Sequence, residues 1–153
     1  KLPPPSLAEV NWPRLINQLH DHYEFELVGE LPAGRWRLDQ SQLMQLLLNL
    51  LKNAHEAGAD ATKIELEFSE QPQFLQISLK DNGGGISPAL LDHALLPFFT
   101  TKQQGSGIGL TLCRDIVEAH GGHLLLKNVD EGLLVQIRLP QKMAAPAPKP
   151  VAH

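Results

Sequence analysis

The chain has 153 residues, is 42% hydrophobic and 20% charged, and carries a formal net charge of −4. That length is one domain's worth, long enough to bury a core, and the balance is that of an ordinary globular protein. The acidic balance with no dense Lys/Arg tract argues against a nucleic-acid partner, the lone Cys113 forms no internal disulfide, and no apolar run spans a membrane.

Leu2-Pro3-Pro4-Pro5-Ser6 reads as an extended, polyproline-like lead-in over residues 1–6, linker rather than core. Because the chain opens at Lys1, a longer parent protein with an upstream domain is expected. Apolar positions 10, 15, 16 and 19 predict a short helix from about Leu7 to His20, with Asn11-Trp12-Pro13 near its start. Phe25 and Leu27 predict a first strand ending at Gly29, and Trp36 and Leu38 a second ending at Asp39. The two are expected to pair across Pro32-Ala33-Gly34.

Gln40 to Ala57 is the longest helix candidate, with Asp39 or Ser41 as N-cap and Gly58 as stop. Leu43, Leu46, Leu47, Leu50, Leu51 and Ala54 form its apolar face. Gln42, Gln45, Asn49, Asn53 and Glu56, three or four apart, stack into a polar stripe. Such a stripe is ordinarily a solvated face, but Asn49 and Asn53 are an i,i+4 pair of a mediocre helix former. Neutral carbonyl oxygens suit a Mg²⁺ ion satisfied mainly by phosphate and water.

Thr62 to Phe68 alternates and is expected to pair across a Gln71-Pro72 turn with a strand over 73–80. In that second strand Leu75, Ile77 and Leu79 share one face, and alternation continues it to Asp81. A carboxylate aimed at the buried side of a sheet needs a donor, and the adenine amino group is one. Two glycine clusters follow, Asp81-Asn82-Gly83-Gly84-Gly85-Ile86 and Gly105-Ser106-Gly107-Ile108-Gly109-Leu110. Between them lies Pro97-Phe98-Phe99-Thr100-Thr101-Lys102. Glycine lets successive N–H groups turn inward into an anion nest. The second cluster runs into a helical pattern, Ile108 to His120, whose N-terminus favours phosphate.

Gly121-Gly122 end that helix. His120 and His123 flank them, a conceivable metal pair that ordinary packing outweighs. Leu124 to Lys127 and Leu133 to Leu139 make a final hairpin turning at Asp130-Glu131-Gly132, with Leu133, Val135, Ile137 and Leu139 inward. The Ala/Pro-rich tail over 142–153 is expected to be disordered, leaving 7–141 as the domain. Strand alternation implies an α+β fold, a two-layer α/β sandwich. Its mixed, mostly antiparallel sheet is covered on one face by about three helices.

In this order the motifs resemble the catalytic ATP-binding domain of bacterial sensor histidine kinases, part of a larger group with DNA gyrase and MutL that shares the Bergerat-type fold. Leu46-Leu47-Leu48-Asn49-Leu50-Leu51-Lys52-Asn53-Ala54 is similar to the family's N box. The segments opening at Asp81, Pro97 and Gly105 are similar to its first glycine box, F box and second glycine box. The resemblance covers roughly residues 3–140, and the Phe98-Phe99-Thr100-Thr101-Lys102 form resembles the nitrogen-regulation branch.

The resemblance implies ATP and Mg²⁺ as cofactors. Asp81 would accept from the adenine amino group, Gly83 and Gly85 would let the backbone close on the base, and Ile86 would lie beside it. Asn53 would be the Mg²⁺ ligand and Asn49 would support the ion's water shell. Residues 98–106 would form a mobile lid, with Phe99, Thr100, Thr101 and Ser106 in the ATP site and Lys102 on phosphate. Gly105, Gly107 and Gly109 would cradle the phosphates, with Ile108 and Leu110 alongside. Around Lys102 to Ser106 disorder without nucleotide is expected, since Gln103-Gln104-Gly105-Ser106 has nothing apolar to bury.

Hydrolytic relatives carry a water-activating Glu one turn before the metal Asn. Here that residue is Asn49, so transfer to a protein is expected to beat hydrolysis, with Glu56 the only nearby acid on the stripe. None of the histidines 20, 22, 55, 93, 120, 123 and 153 lies in the phosphoacceptor pattern. The acceptor would therefore sit on a dimerisation and phosphoacceptor domain elsewhere in the parent, with a response regulator downstream. The fragment would be cytoplasmic and monomeric, with no nucleic-acid partner or direct membrane contact. A nucleotide-sensing module without catalysis, and a related ATPase, are the competing readings.

Overall fold

A computed structural model describes residues 2–56, 58, 63–82, 107–129 and 132–140. In chain order its elements are β1 (Ala8–Glu9), α1 (Trp12–His20), β2 (Glu26–Val28), β3 (Arg37–Leu38) and α2 (Gln40–Glu56). They continue with β4 (Glu65–Glu70), β5 (Phe74–Lys80), α3 (Gly107–Ala119), β6 (His123–Val129) and β7 (Gly132–Pro140).

Five strands form one sheet in the order β2-β4-β5-β7-β6, with β2 parallel to β4 and every other neighbour antiparallel. The register stacks apolar side chains across three strands: Phe68 opposite Ile77 opposite Ile137, and Leu66 opposite Leu79 opposite Val135. All six are buried. The helices cover that face through Leu15, Ile16 and Leu19 of α1, the predicted leucine face of α2, and Cys113, Ile116 and Val117 of α3. Each fully buried Leu or Ile contributes roughly 1.5–3 kcal/mol by leaving water. Alternation in the strands is thus the imprint of a one-sided sheet, as expected.

Two expectations change. The strand containing Trp36 and Leu38 does not pair with the strand after Phe25. Instead Arg37 and Leu38 pair antiparallel with Glu9 and Ala8, while Glu26–Val28 lies parallel to β4. The cause is Glu70 at the end of β4. Its carboxylate accepts from Ala33 N–H (3.1 Å), Gly34 N–H (2.7 Å) and Trp36 Nε1–H (2.7 Å), drawing the loop away from a hairpin. The first helix also starts later than Leu7. Asn11 caps it by accepting from Arg14 N–H at 3.1 Å, and Ala8–Glu9 before it are extended.

The proline-rich lead-in is docked. Leu2 packs against the core, Pro3 O accepts from Gln42 Nε2 (2.9 Å), and Ser6 N–H donates to Asp39 Oδ2 (2.8 Å). Gln42 therefore lies buried under this segment and leaves the solvated stripe on which spacing had placed it.

Candidate functional site

Asp39 is the N-cap of α2: its Oδ1 accepts from Gln42 N–H at 2.9 Å and its own carbonyl from Leu43 N–H at 2.8 Å. From that start the apolar face faces the sheet, which leaves Asn49 and Asn53 half-buried on the flank, one turn apart. Among the described residues none bonds to the Asn53 amide, so its carbonyl oxygen is available to a ligand.

Helix α3 lies along that flank. Cys113 Sγ donates to Leu46 O at 3.8 Å and also contacts the side chain of Asn49. Burial pushes this thiol up to about 12, so it is a neutral donor at any ordinary pH. Further along, Asp39 N–H donates to His120 Nε2 at 3.0 Å. Moving from Cys113 in α3 to His120 just past its end thus moves from Leu46 in α2 back to Asp39 at its cap, an equal number of residues in the opposite direction. The helices are antiparallel with one rise per residue. Run the other way, the same register brings the first turn of α3, beginning at Gly107, level with the turn of α2 that holds Asn53. A helix start has unsatisfied N–H groups and a positive dipole end, and it faces a neutral carbonyl donor here. That pairing suits a phosphate with its cation.

Asp81 follows β5 on the face of Leu75, Ile77 and Leu79, as alternation predicts, and is 7% exposed. Its backbone is fixed by β7, where Asp81 N–H donates to Leu133 O at 3.0 Å. Gly132, just before, runs so close that a Cβ there would collide with Asp81 O and Asn82 Cα. Only glycine lets the two strand ends meet at the predicted adenine contact. Sequence reasoning saw Gly132 merely as a turn residue, because the neighbour that excludes a side chain belongs to another strand.

Of the other predicted site residues, Gly83, Gly85, Ile86, Phe99, Thr100, Thr101, Lys102, Gly105 and Ser106 lie outside the described residues, as does the expected disorder over Lys102 to Ser106. Gly107, Ile108 and Gly109 begin α3, and Leu110 packs half-buried against the core. Glu56 is exposed and pairs with Lys52 at 3.7 Å. His55 is a packing residue, its Nε2 3.0 Å from Glu24 O and its ring stacked 5.2 Å from Tyr23. His120 is buried with both ring nitrogens in use. Among the described residues no three His, Cys, Asp or Glu side chains converge to hold a metal. A cation here would take few protein ligands, Asn53 among them, and fill its shell from phosphate and water, which is how Mg²⁺ is usually held beside a nucleotide.

Residues 38–143 match the family described as histidine kinase-, DNA gyrase B-, and HSP90-like ATPase. The two-component sensor PprA of Pseudomonas aeruginosa is 40% identical over 131 residues, which is 77% of this chain and 14% of that protein. A sensor histidine kinase NtrY-like protein of Rickettsia conorii is 33% identical over 127 residues, 81% of this chain and 21% of the relative. The matched part of the chain therefore spans 14% and 21% of these relatives' lengths. Among solved structures, the nucleotide-free catalytic domain of the histidine kinase ThkA superposes with a TM-score of 0.73 at 29% identity. The match covers 89% of this chain and 96% of that one.

Proposed function

The chain belongs to the histidine kinase-, DNA gyrase B-, and HSP90-like ATPase family, and from that membership we propose that it is the Mg-ATP-binding catalytic domain of a two-component sensor histidine kinase. It transfers the γ-phosphoryl group to a histidine on a dimerisation and phosphoacceptor domain of the parent protein, which then supplies a response regulator. The NtrY-like relatives favour the nitrogen-regulation branch. Among the described residues no helix is long and apolar enough to cross a membrane, and we place the domain in the cytoplasm.

The observation that carries this reading is the antiparallel α2–α3 register, which, carried on to Gly107, brings the start of α3 level with the turn of Asn53. Phosphoryl transfer asks a protein for positioning and charge neutralisation rather than covalent chemistry. Asp81, held by β7, fixes the base. The first turn of α3, from Gly107, presents N–H donors to the phosphates, and Lys102, Gly105 and Ser106 lie on the segment leading into it. Asn53 offers its carbonyl to the cation and Asn49 supports its water shell. When bound, Mg²⁺ neutralises charge that develops on the transferring phosphoryl group. Asn49 cannot accept a proton at neutral pH, and Glu56 is exposed and paired to Lys52, so the site lacks a water-activating base on this helix face.

Calorimetric titration with a non-hydrolysable ATP analogue, with and without Mg²⁺, tests the pocket. Saturable binding to the wild type is expected, weakened about a hundredfold in Asp81→Asn, which turns an acceptor oxygen into a donor facing another donor. No binding to the wild type sinks the nucleotide reading. Binding without transfer to a supplied phosphoacceptor domain moves the assignment to a nucleotide-sensing module.

A further inference from the structure

The α2–α3 register depends on a joint far from the nucleotide. His120 follows directly on the last residue of α3, Ala119, and precedes Gly121, whose φ of +80° completes the helix end. Gly121 N–H donates to Glu118 O and Gly122 N–H to Val117 O, both at 2.9 Å, the paired bonds of a glycine-terminated helix. That terminus fixes the His120 backbone and leaves its ring 6% exposed between the two helices. Nε2 receives the Asp39 N–H at 3.0 Å, and Nδ1 is 2.9 Å from Ile116 O. An N–H can be received only by an unprotonated ring nitrogen, so the ring proton sits on Nδ1 and goes to Ile116 O. One neutral tautomer satisfies both contacts, and no lone pair is left for a metal.

The helix end that His120 grips is itself held from the other side. Asp39 uses its backbone N–H for His120, Oδ1 for the α2 N-terminus and Oδ2 for Ser6 N–H. We propose that His120 is a positioning residue of the nucleotide site, acting through Asp39 to set α3 along α2 so that the α3 start stays level with Asn53. This inference rests on the nucleotide reading above. It concerns a side chain that touches neither nucleotide nor cation. The base half of the site, Asp81 against β7, is built from strands and does not pass through this joint.

The triphosphate increment should therefore depend on His120 while the nucleoside affinity does not. The test uses this chain as it is, with His120→Ala and His120→Gln, titrated by NMR with adenosine and with the Mg-bound non-hydrolysable ATP analogue. His120→Ala should weaken the triphosphate by roughly ten- to a hundredfold, the usual effect of losing an outer supporting partner, and leave adenosine little changed. His120→Gln, whose amide oxygen can accept the Asp39 N–H, should recover much of the difference. Nitrogen-15 shifts of the wild-type ring should show protonated Nδ1 and bare Nε2. Unchanged triphosphate binding in His120→Ala, equal loss for both ligands, or a proton on Nε2 would overturn the proposal. If the wild type binds neither ligand, the nucleotide reading and this inference fall together. If it binds both and the variants match it, this inference alone fails.

Discussion

The two ends of the α2–α3 pair treat their polar groups in opposite ways. At the Asp39 end, a carboxylate, a backbone N–H, an imidazole and a glutamine amide bond to one another or to Ser6 and Pro3, in buried or part-buried surroundings. At the Asn53 end, a half-buried amide has no partner among the described residues. A buried polar group left unpaired costs about 1–3 kcal/mol, and the first end is satisfied within the protein except at Gln42 Oε1, which is buried without a partner. The second end can stay open because it is not fully buried. On the proposed function, stability and binding are therefore divided along one helix, and substitutions should separate them.

The largest effect belongs to what both ends share. Leu46 is fully buried between the sheet and Cys113. Leu46→Ala should cost about 2–5 kcal/mol in chemical denaturation, since the helices cannot fully close the cavity. Nucleotide affinity should fall with it as α2 loosens on the sheet, although alanine keeps the backbone carbonyl that Cys113 Sγ meets. The next pair of substitutions divides the ends. Asp39→Ala should cost about 1–2 kcal/mol of stability through the lost cap and the stranded Ser6 N–H. Asn53→Ala should stay within about 0.5 kcal/mol of wild type, since alanine is the better helix former on a half-open flank. It should nevertheless remove the Mg²⁺-dependent part of nucleotide binding. A strongly destabilised Asn53→Ala that still binds Mg-nucleotide would erase the distinction.

That division also sorts what the sequence made legible. The leucine face of α2, the Asn49–Asn53 pair and the placement of Asp81 on the buried face of β5 are local periodicities, and each is where spacing put it. The features sequence reasoning missed join residues far apart. His120 meets Asp39 across 81 positions, and Gln42 looked solvated because the segment that covers it comes from the chain's start. The β1–β3 pairing was lost for a similar reason: alternation predicts that Trp36 and Leu38 are in a strand but not which strand Leu38 lies against. Gly132 carries a turn signal in the sequence, while the steric demand comes from Asp81 just past β5. A lone histidine followed by two glycines at a helix end was the one visible hint of the His120 joint.

The smallest effect tests whether burial, rather than the bonding pattern, makes the Asp39 end matter. Glu70 repeats that pattern at the surface, one carboxylate accepting from Trp36 Nε1–H, Gly34 N–H and Ala33 N–H. The Trp36 bond holds its pKa below the ordinary carboxylate value against the opposing effect of burial, helped by the Gly34 and Ala33 N–H groups. A carboxylate lowered in the folded state stabilises above its unfolded value, and that contribution fades as pH falls through the folded one. Solvent screening at this exposed site keeps it to about 0.5 kcal/mol. Glu70→Gln keeps an acceptor oxygen but cannot titrate, so wild type should be the more stable at neutral pH, with the gap closing from about pH 5 downward. A cost matching that of Asp39→Ala would mean that three donors on a carboxylate matter equally in and out of water, and the contrast between the two ends would then rest on something other than burial.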